Sequence, residues 1–295
     1  MTADGSSRLW GSQQGYYRER GYYSPVRVFS DSETQEFRER FLDYLSRNQQ
    51  RIRGLPPREQ AVVMTQTHIL LQWVFRMVSH PNVLDAVEDV LGPNIIVWSS
   101  QWFPKMPGDK TYISWHQDAT YWGLHPPNVT TAWIAVSESR PENGCMRVIP
   151  GSHQGPLLPQ VETYARDNAL SRGQEIAIKV DESRAVDLVL QPGEMSLHHI
   201  GIVHGSNPNT SEKPRIGLAV RFITPEVVQD GAERQIAVLG RGRDDFGHFD
   251  LVDPPQDDVI LPGDTELHDE ALRRQRINIM PKGSERPQGT ASSRG

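Results

Sequence analysis

The segment SWHQDATYW holds two residues with the types and spacing of a metal-ligand pair, His116 and Asp118. They stand two apart in what reads as a β-strand. Alternate strand residues point to one side, so an imidazole and a carboxylate can meet a single ion. An H-x-D pair alone is weak, since a chain of 295 residues yields about one by chance. A second histidine from another strand is needed to close the site. SLHHIGIVHGSNPNTSEKPRIGLAVRF offers His198, His199 and His204. His204 is chosen because it ends a strand just before Gly205 and Ser206, where a side chain can turn into the mouth of a roll. Two histidines and a carboxylate on one face of an ion leave three positions open, which suits Fe(II) oxygen chemistry. Zinc accepts the same ligands, so they do not decide the metal.

Arg215 lies 11 residues after His204, across the loop NPNTSEKP. An antiparallel return places it beside the strand that carries His204. A buried guanidinium wants a carboxylate held through two parallel bonds. 2-Oxoglutarate fits that demand: its 2-oxo acid end chelates iron, its far carboxylate reaches Arg215, and O2 takes the remaining position.

The elements that must position these residues read as follows. Residues 1–15 look like a disordered tail, and residues 16–280 like one domain. A helical layer covers about 31–92. Ser30 or Asp31 caps a helix to about Asn48, with Phe37, Phe41, Leu42 and Leu45 on one face. A second helix is expected over Arg58 to Val78, and a third from Pro81 to Gly92. The character changes at Pro93. Short β-branched and aromatic runs bounded by Pro, Gly and Asn form a β core over about 94–225. Residues 156–172 interrupt the strands, with room for one helix. Residues 226–280 form a C-terminal extension or lid, and 281–295 a disordered tail. A helical layer leading into roughly eight strands, without βαβ alternation, predicts a mainly β fold with flanking helices: a jelly roll.

Composition narrows the partners. The net charge is -6 and no basic stripe is present, which disfavours nucleic acid. No run approaches the roughly 18 apolar residues of a membrane span. The single cysteine, Cys145, forbids an internal disulfide and reads as a small buried hydrophobe. With no signal-peptide pattern, the expected home is the cytoplasm and the expected partner a small-molecule substrate.

HQDATYW, TAWIAVSESRPENGCMRVIPGSH and LHHIGIVHGSNPNTSEKPRIGLAVRF together resemble the phytanoyl-CoA dioxygenase family of 2-oxoglutarate oxygenases. The match in order and spacing spans about residues 95–225. The resemblance implies a double-stranded β-helix, cupin-like core, with Fe(II) on His116, Asp118 and His204 and 2-oxoglutarate on Arg215. It implies that Ser206 assists Arg215 and that Trp133 lines the co-substrate pocket, with Thr131 and Gln101 beside it. Halogenating relatives replace the metal carboxylate with Ala or Gly. Asp118 is intact, so hydroxylation of an aliphatic carbon is favoured, with succinate and CO2 released.

Other residues carry two readings. Trp122 and Tyr112 share strand parity with His116 and are expected in the substrate pocket; aromatic packing is the plain alternative. His199 is expected near the iron or as a core histidine, while His198 points the other way. Arg221 is weighed equally between the cavity and solvent. Desaturation, epimerisation or ring closure are alternative outcomes. A zinc hydrolase leaves Arg215 unexplained, and a non-catalytic jelly-roll binding protein leaves the ligand set unexplained. Loops 104–112, 155–173 and 226–256 would set the substrate, which the sequence does not name.

Overall fold

The computed structural model of the chain describes residues 8–9, 11–53, 61–231, 233–260 and 262–279. Among these, the helices are α1 (Gly11–Arg20), α2 (Asp31–Ile52), α3 (Gln72–Val78), α4 (Pro81–Leu91), α5 (Ala119–Trp122) and α6 (Pro262–Ile279). The first strands are β1 (Tyr22–Arg27), β2 (Ile95–Trp102), β3 (Ile113–His116), β4 (Leu124–His125), β5 (Val129–Ala135), β6 (Met146–Val148), β7 (Gln160–Glu162) and β8 (Gln174–Ile176). The remaining strands are β9 (Val186–Asp187), β10 (Glu194–His199), β11 (His204–Ser206), β12 (Gly217–Ile223), β13 (Val228–Gln229), β14 (Ile236–Arg241) and β15 (Asp250–Leu251).

Two sheets make the jelly roll. The major sheet runs β1-β10-β5-β12-β2-β14-β15 and the minor one β3-β11-β6-β9. Pairing is antiparallel throughout both sheets except between β14 and β15. Register sorts the major sheet's side chains by face. One cross-strand row is Trp102, Leu218, Ile134 and Met195; another is Ser100, Val220, Ala132 and Leu197. The apolar members of these rows pack against Phe37 and Phe41 of α2 and Trp73 and Met77 of α3. The opposite face carries Gln101, Ala219, Trp133 and Ser196, then Ser99, Arg221, Thr131 and His198. So the helices cover an apolar face, and a polar one is left for the interior of the roll.

The helical layer is anchored locally. Ser30 forms a capping box: the Glu33 N–H donates to its hydroxyl at 3.3 Å, and its own N–H donates to the Glu33 carboxylate at 2.8 Å. Phe37 and Phe41 are buried as expected, but Leu42 is 38% exposed, one residue further round the helix. The Phe41 ring lies 4.4 Å from that of Trp102, which ends β2.

Several sequence expectations need correction. The tail expected over 1–15 contains the start of α1; residues 1–7 and 10 lie outside the described residues. Leu9 is buried, its N–H donates to Asp89 at 2.6 Å, and Arg8 pairs with Asp89 at 3.1 Å. Docking to α4, not local propensity, orders this end. The helix expected over Arg58 to Val78 is broken; 54–60 lie outside the described residues, and α3 begins only at Gln72. Thr65 instead bridges to Gln101, Gln66 adopts φ 57, and its N–H donates to the Ser100 carbonyl at 2.7 Å. The β-branched run there forms two 3-10 turns around a single bridge to β2. Residues 156–172 carry no helix; β7 lies there and pairs as a hairpin with β8 just beyond. The extension at 226–280 ends in α6, and the tail expected at 281–295 lies outside the described residues. No described helix is long and apolar enough to cross a membrane.

Phe41 is fully buried against Trp102. Phe41→Ala should lower the unfolding free energy by about 3–5 kcal/mol in urea titrations. A loss below about 1 kcal/mol would show that the helical layer does not brace the sheet.

Candidate metal centre

His116 is the last residue of β3, and His204 the first of β11. The two are direct cross-strand partners, which sets their rings 4.1 Å apart between centroids. Each ring is oriented by its own chain. His116 Nδ1 lies 2.9 Å from the Ser114 carbonyl, and His204 Nδ1 lies 3.0 Å from the Ile202 carbonyl. A carbonyl can only accept, so Nδ1 carries the proton in both rings and Nε2 keeps its lone pair. Asp118 is not on the strand as expected. It has helical backbone geometry and begins the turn into α5. That turn brings its carboxylate 3.4 Å from His116 Nε2 and 3.9 Å from His204 Nε2.

One donor atom from each of these three buried residues lies within 4.8 Å of the others, and no other such group occurs among the described residues. Both histidines turn Nε2 towards the Asp118 carboxylate. Burial pushes the His204 pKa down to about 4, with His116 adding to the shift. Burial raises the Asp118 pKa, yet His204, His116 and Arg221 outweigh it and hold the carboxylate well below its usual range. Neutral imidazoles beside an ionised carboxylate are what a divalent cation needs, so the residues fit an ion of the Fe(II) type.

The three open into a cavity of about 710 Å³ between the two sheets. Arg215 lines one part of it. Its guanidinium is 1% exposed, donates to the carbonyls of Gly144 and Phe103, and lies 5.2 Å from the Trp133 ring. Its Nε has no partner among the described residues. Burial pulls the Arg215 pKa down to about 10, so it stays charged. Two glycines make room. Gly144 sits at φ 76, where a Cβ would meet the Asn207 carbonyl, and a Cβ on Gly217 would enter the Trp133 indole. Ser206 lines the same region, and Lys105 donates to its hydroxyl at 2.7 Å. Sequence reasoning missed Lys105, which is 2% exposed; burial, then Arg215, pushes its pKa down to about 6.

Gln101, Thr131, Trp133 and Trp122 all line the cavity. Thr131 Oγ1 is buried with no partner. Trp122 arrives from α5 rather than by strand parity. Tyr112 and His199 do not reach the cavity. The Tyr112 backbone is tied to the 155–173 insertion, bonding to the Asp167 carbonyl at 3.0 Å and the Ala169 N–H at 2.9 Å. His199 ends β10 on the outer side, its ring 5.1 Å from His153. His198 takes the inner position, 4.9 Å from the His204 ring. Strand parity alone could not choose between adjacent histidines without the register to Thr131. Leu272, Gln275 and Ile279 of α6 also line the cavity.

Alanine at His116, Asp118 or His204 should abolish stoichiometric binding of Fe(II) or Zn(II) in anaerobic calorimetry; retained wild-type affinity in any variant would remove that residue from the site. The metal-free protein should also be acid-sensitive. Burial holds His68 at about 3 and His204 at about 4, against 6.5 for a free histidine. The unfolded chain therefore takes up protons first, so stability is full above pH 6.5 and lost as pH falls towards 4. Each group contributes up to about 1.4 kcal/mol per pH unit. Urea titrations unchanged between pH 7 and 5 would contradict this.

The family model for phytanoyl-CoA dioxygenase (PhyH) matches residues 17–217. The peroxisomal phytanoyl-CoA dioxygenase of Bos taurus is 30% identical over 295 aligned positions, covering 90% of this chain and 83% of the bovine protein. A probable alpha-ketoglutarate-dependent hypophosphite dioxygenase of Stutzerimonas stutzeri is 30% identical over 159 positions, covering 52% of this chain and 54% of that protein. Among solved structures, the apo form of the non-heme monooxygenase ThoJ superposes with a TM-score of 0.78 at 32% identity, covering 90% of this chain and 97% of ThoJ. CytC3 with Fe(II) and alpha-ketoglutarate shares the fold, with a TM-score of 0.62 at 22% identity over 88% of this chain and 98% of CytC3. The paired histidines, the buried carboxylate and the guanidinium beside them thus stand in a chain that belongs to the phytanoyl-CoA dioxygenase family, the non-haem iron, 2-oxoglutarate-dependent dioxygenases.

Proposed function

We propose that this chain hydroxylates an aliphatic carbon of a small-molecule metabolite. His116, Asp118 and His204 would hold Fe(II), and Arg215 with Ser206 would hold 2-oxoglutarate. The observation that carries the reading is one cavity containing both a neutral-imidazole, carboxylate triad and a buried guanidinium without a carboxylate partner among the described residues. Fe(II) with 2-oxoglutarate and O2 supplies an oxidant strong enough to remove hydrogen from an unactivated carbon, releasing succinate and CO2.

The chain's own residues bind, orient and exclude. Arg215 is held by two carbonyls and the Trp133 face, so it is positioned before a carboxylate arrives. Lys105 aims the Ser206 hydroxyl through its bond at 2.7 Å. The carboxylate at 118 would supply the third protein ligand to the ion, where a halide would otherwise bind. Trp98, Tyr121 and Trp122 give the same cavity an aromatic wall against which a substrate would displace water. The buried, free Cys145 thiol, whose pKa burial pushes up to about 12, suits the reducing cytoplasm.

The test is succinate release from 2-oxoglutarate, screened against a metabolite library with mass spectrometry for the gain of one oxygen. Arg215→Ala should raise the 2-oxoglutarate concentration for half-maximal turnover by roughly 30-fold or more, equivalent to about 2 kcal/mol or more. An unchanged value would refute the role assigned to Arg215.

A further inference from the structure

Arg221 is a second guanidinium in the cavity, and the chemistry above does not use it. It sits on β12, six residues beyond Arg215, which places their backbones roughly 20 Å apart along an extended strand. Its cross-strand neighbours on the same face are Ser99, Thr131 and, one strand further, His198. These offer hydroxyls and an imidazole but no carboxylate. Asp118 is the anion whose charge reaches it, yet no ion pair forms within 4.0 Å; its oxygens are turned to His116 and His204 instead. Among the described residues Arg221 makes no hydrogen bond, and its Nε is buried without an acceptor. Its guanidinium lies 5.2 Å from the Trp122 ring and 5.9 Å from that of Phe103, which fix its plane without neutralising it.

Charge bookkeeping gives this position a direction. The chain as a whole has a net charge of -6, but the described lining residues include Arg215, Arg221 and Arg276 against one carboxylate, Asp118. The reading under Proposed function assigns the rest. The positive charges of Fe(II) and Arg215 are matched by Asp118 and the two carboxylates of 2-oxoglutarate. Asp118 is then shared with the ion, and Arg221, half-buried with its Nε fully covered, has no anion of its own, an arrangement that favours one further anion. Arg276, exposed on α6 at the edge of the same cavity beside Leu272 and Ile279, adds positive potential along the approach.

We infer that the primary substrate is an organic acid whose carboxylate docks on Arg221, with its carbon skeleton against Trp98 and Trp122. This rests on the oxygenase reading, since it presumes that Arg215 is taken by 2-oxoglutarate. A guanidinium set among aromatic faces selects a planar anion in a way that an ammonium or a neutral amide does not.

The experiment uses the full chain saturated with redox-inert Zn(II) and 2-oxoglutarate, titrated calorimetrically with phenylacetate, 2-phenylethanol and 2-phenylethylamine. The acid should bind at least about 10-fold more tightly than the alcohol, and the amine most weakly. Arg221→Gln should erase the acid's advantage, and Arg221→Lys, which keeps the charge, should retain part of it. Both variants should keep 2-oxoglutarate affinity within about 3-fold of wild type, the difference between partial and full loss of an ion pair. Circular dichroism on each variant checks that it folds; if Gln does not, the Lys variant's intermediate preference carries the test. No acid binding, no acid preference in the wild type, or a preference that survives Arg221→Gln overturns the proposal. Loss of 2-oxoglutarate affinity in parallel with phenylacetate also overturns it, because the anion would then be the co-substrate's keto-acid end. Failure of the wild type to bind 2-oxoglutarate would instead sink the oxygenase reading. In that case an acid preference measured with Zn(II) alone that survives Arg215→Ala and is lost in Arg221→Gln would still assign the carboxylate to Arg221, and one that survives Arg221→Gln would overturn the assignment.

Discussion

The register between β3 and β11 is the constraint on which the rest depends. It sets His204 directly opposite His116, and each ring spends its Nδ1 proton on the carbonyl two residues before it in the chain. A one-residue slip would turn the two side chains to opposite faces and leave no donor pair. Once the rings are fixed, Asp118 needs only the short turn into α5 to complete the group. The minor sheet is small, but it converts two histidines 88 positions apart into a single donor surface.

The major sheet solves a different problem. Its outer face is apolar and covered by helices, so it supplies the burial that holds the molecule together. Its inner face carries Gln101, Trp133, Thr131, His198 and Arg221, a costly set to bury without partners. Unpartnered Thr131 Oγ1, His198 Nδ1 and the Nε atoms of both arginines mark where the folded chain is incomplete without bound molecules. Lys105 belongs to the same economy of charge. Its amino group contacts Ser206 and Asn207 while burial and Arg215 push its pKa down to about 6. An arriving carboxylate would neutralise Arg215 and thereby favour the protonated form of Lys105.

Much of this was legible in the sequence where one residue type has few uses. Gly, Pro and Asn turns delimited the strands, and Ser30 with Glu33 marked the start of α2. His116, Asp118, His204 and Arg215 could be named because their spacing suits two antiparallel strands. Tertiary pairing decided what local pattern could not. The β-branched run near Thr65 reads as a plausible helix until β2 offers it a ladder partner. Adjacent His198 and His199 differ only in which face they present, and that depends on the register to β5. Tyr112 was placed by parity, but the strand begins one residue after it, and an insertion claims its backbone. α6 has no strong apolar face to announce it. Ion pairs from Arg273 and Arg274 to Glu233 and Asp250 hold it, and these are invisible until the chain folds.

The central claim is that three side chains from two strands and a turn share one cation within reach of a co-substrate held by Arg215. Anaerobic addition of Fe(II) and 2-oxoglutarate to the wild-type protein, followed by visible absorption, tests it most directly. The account predicts a weak charge-transfer band that requires both additions and saturates at one iron per chain. A protein that binds both without developing the band would contradict it, because the two would then not meet in one site.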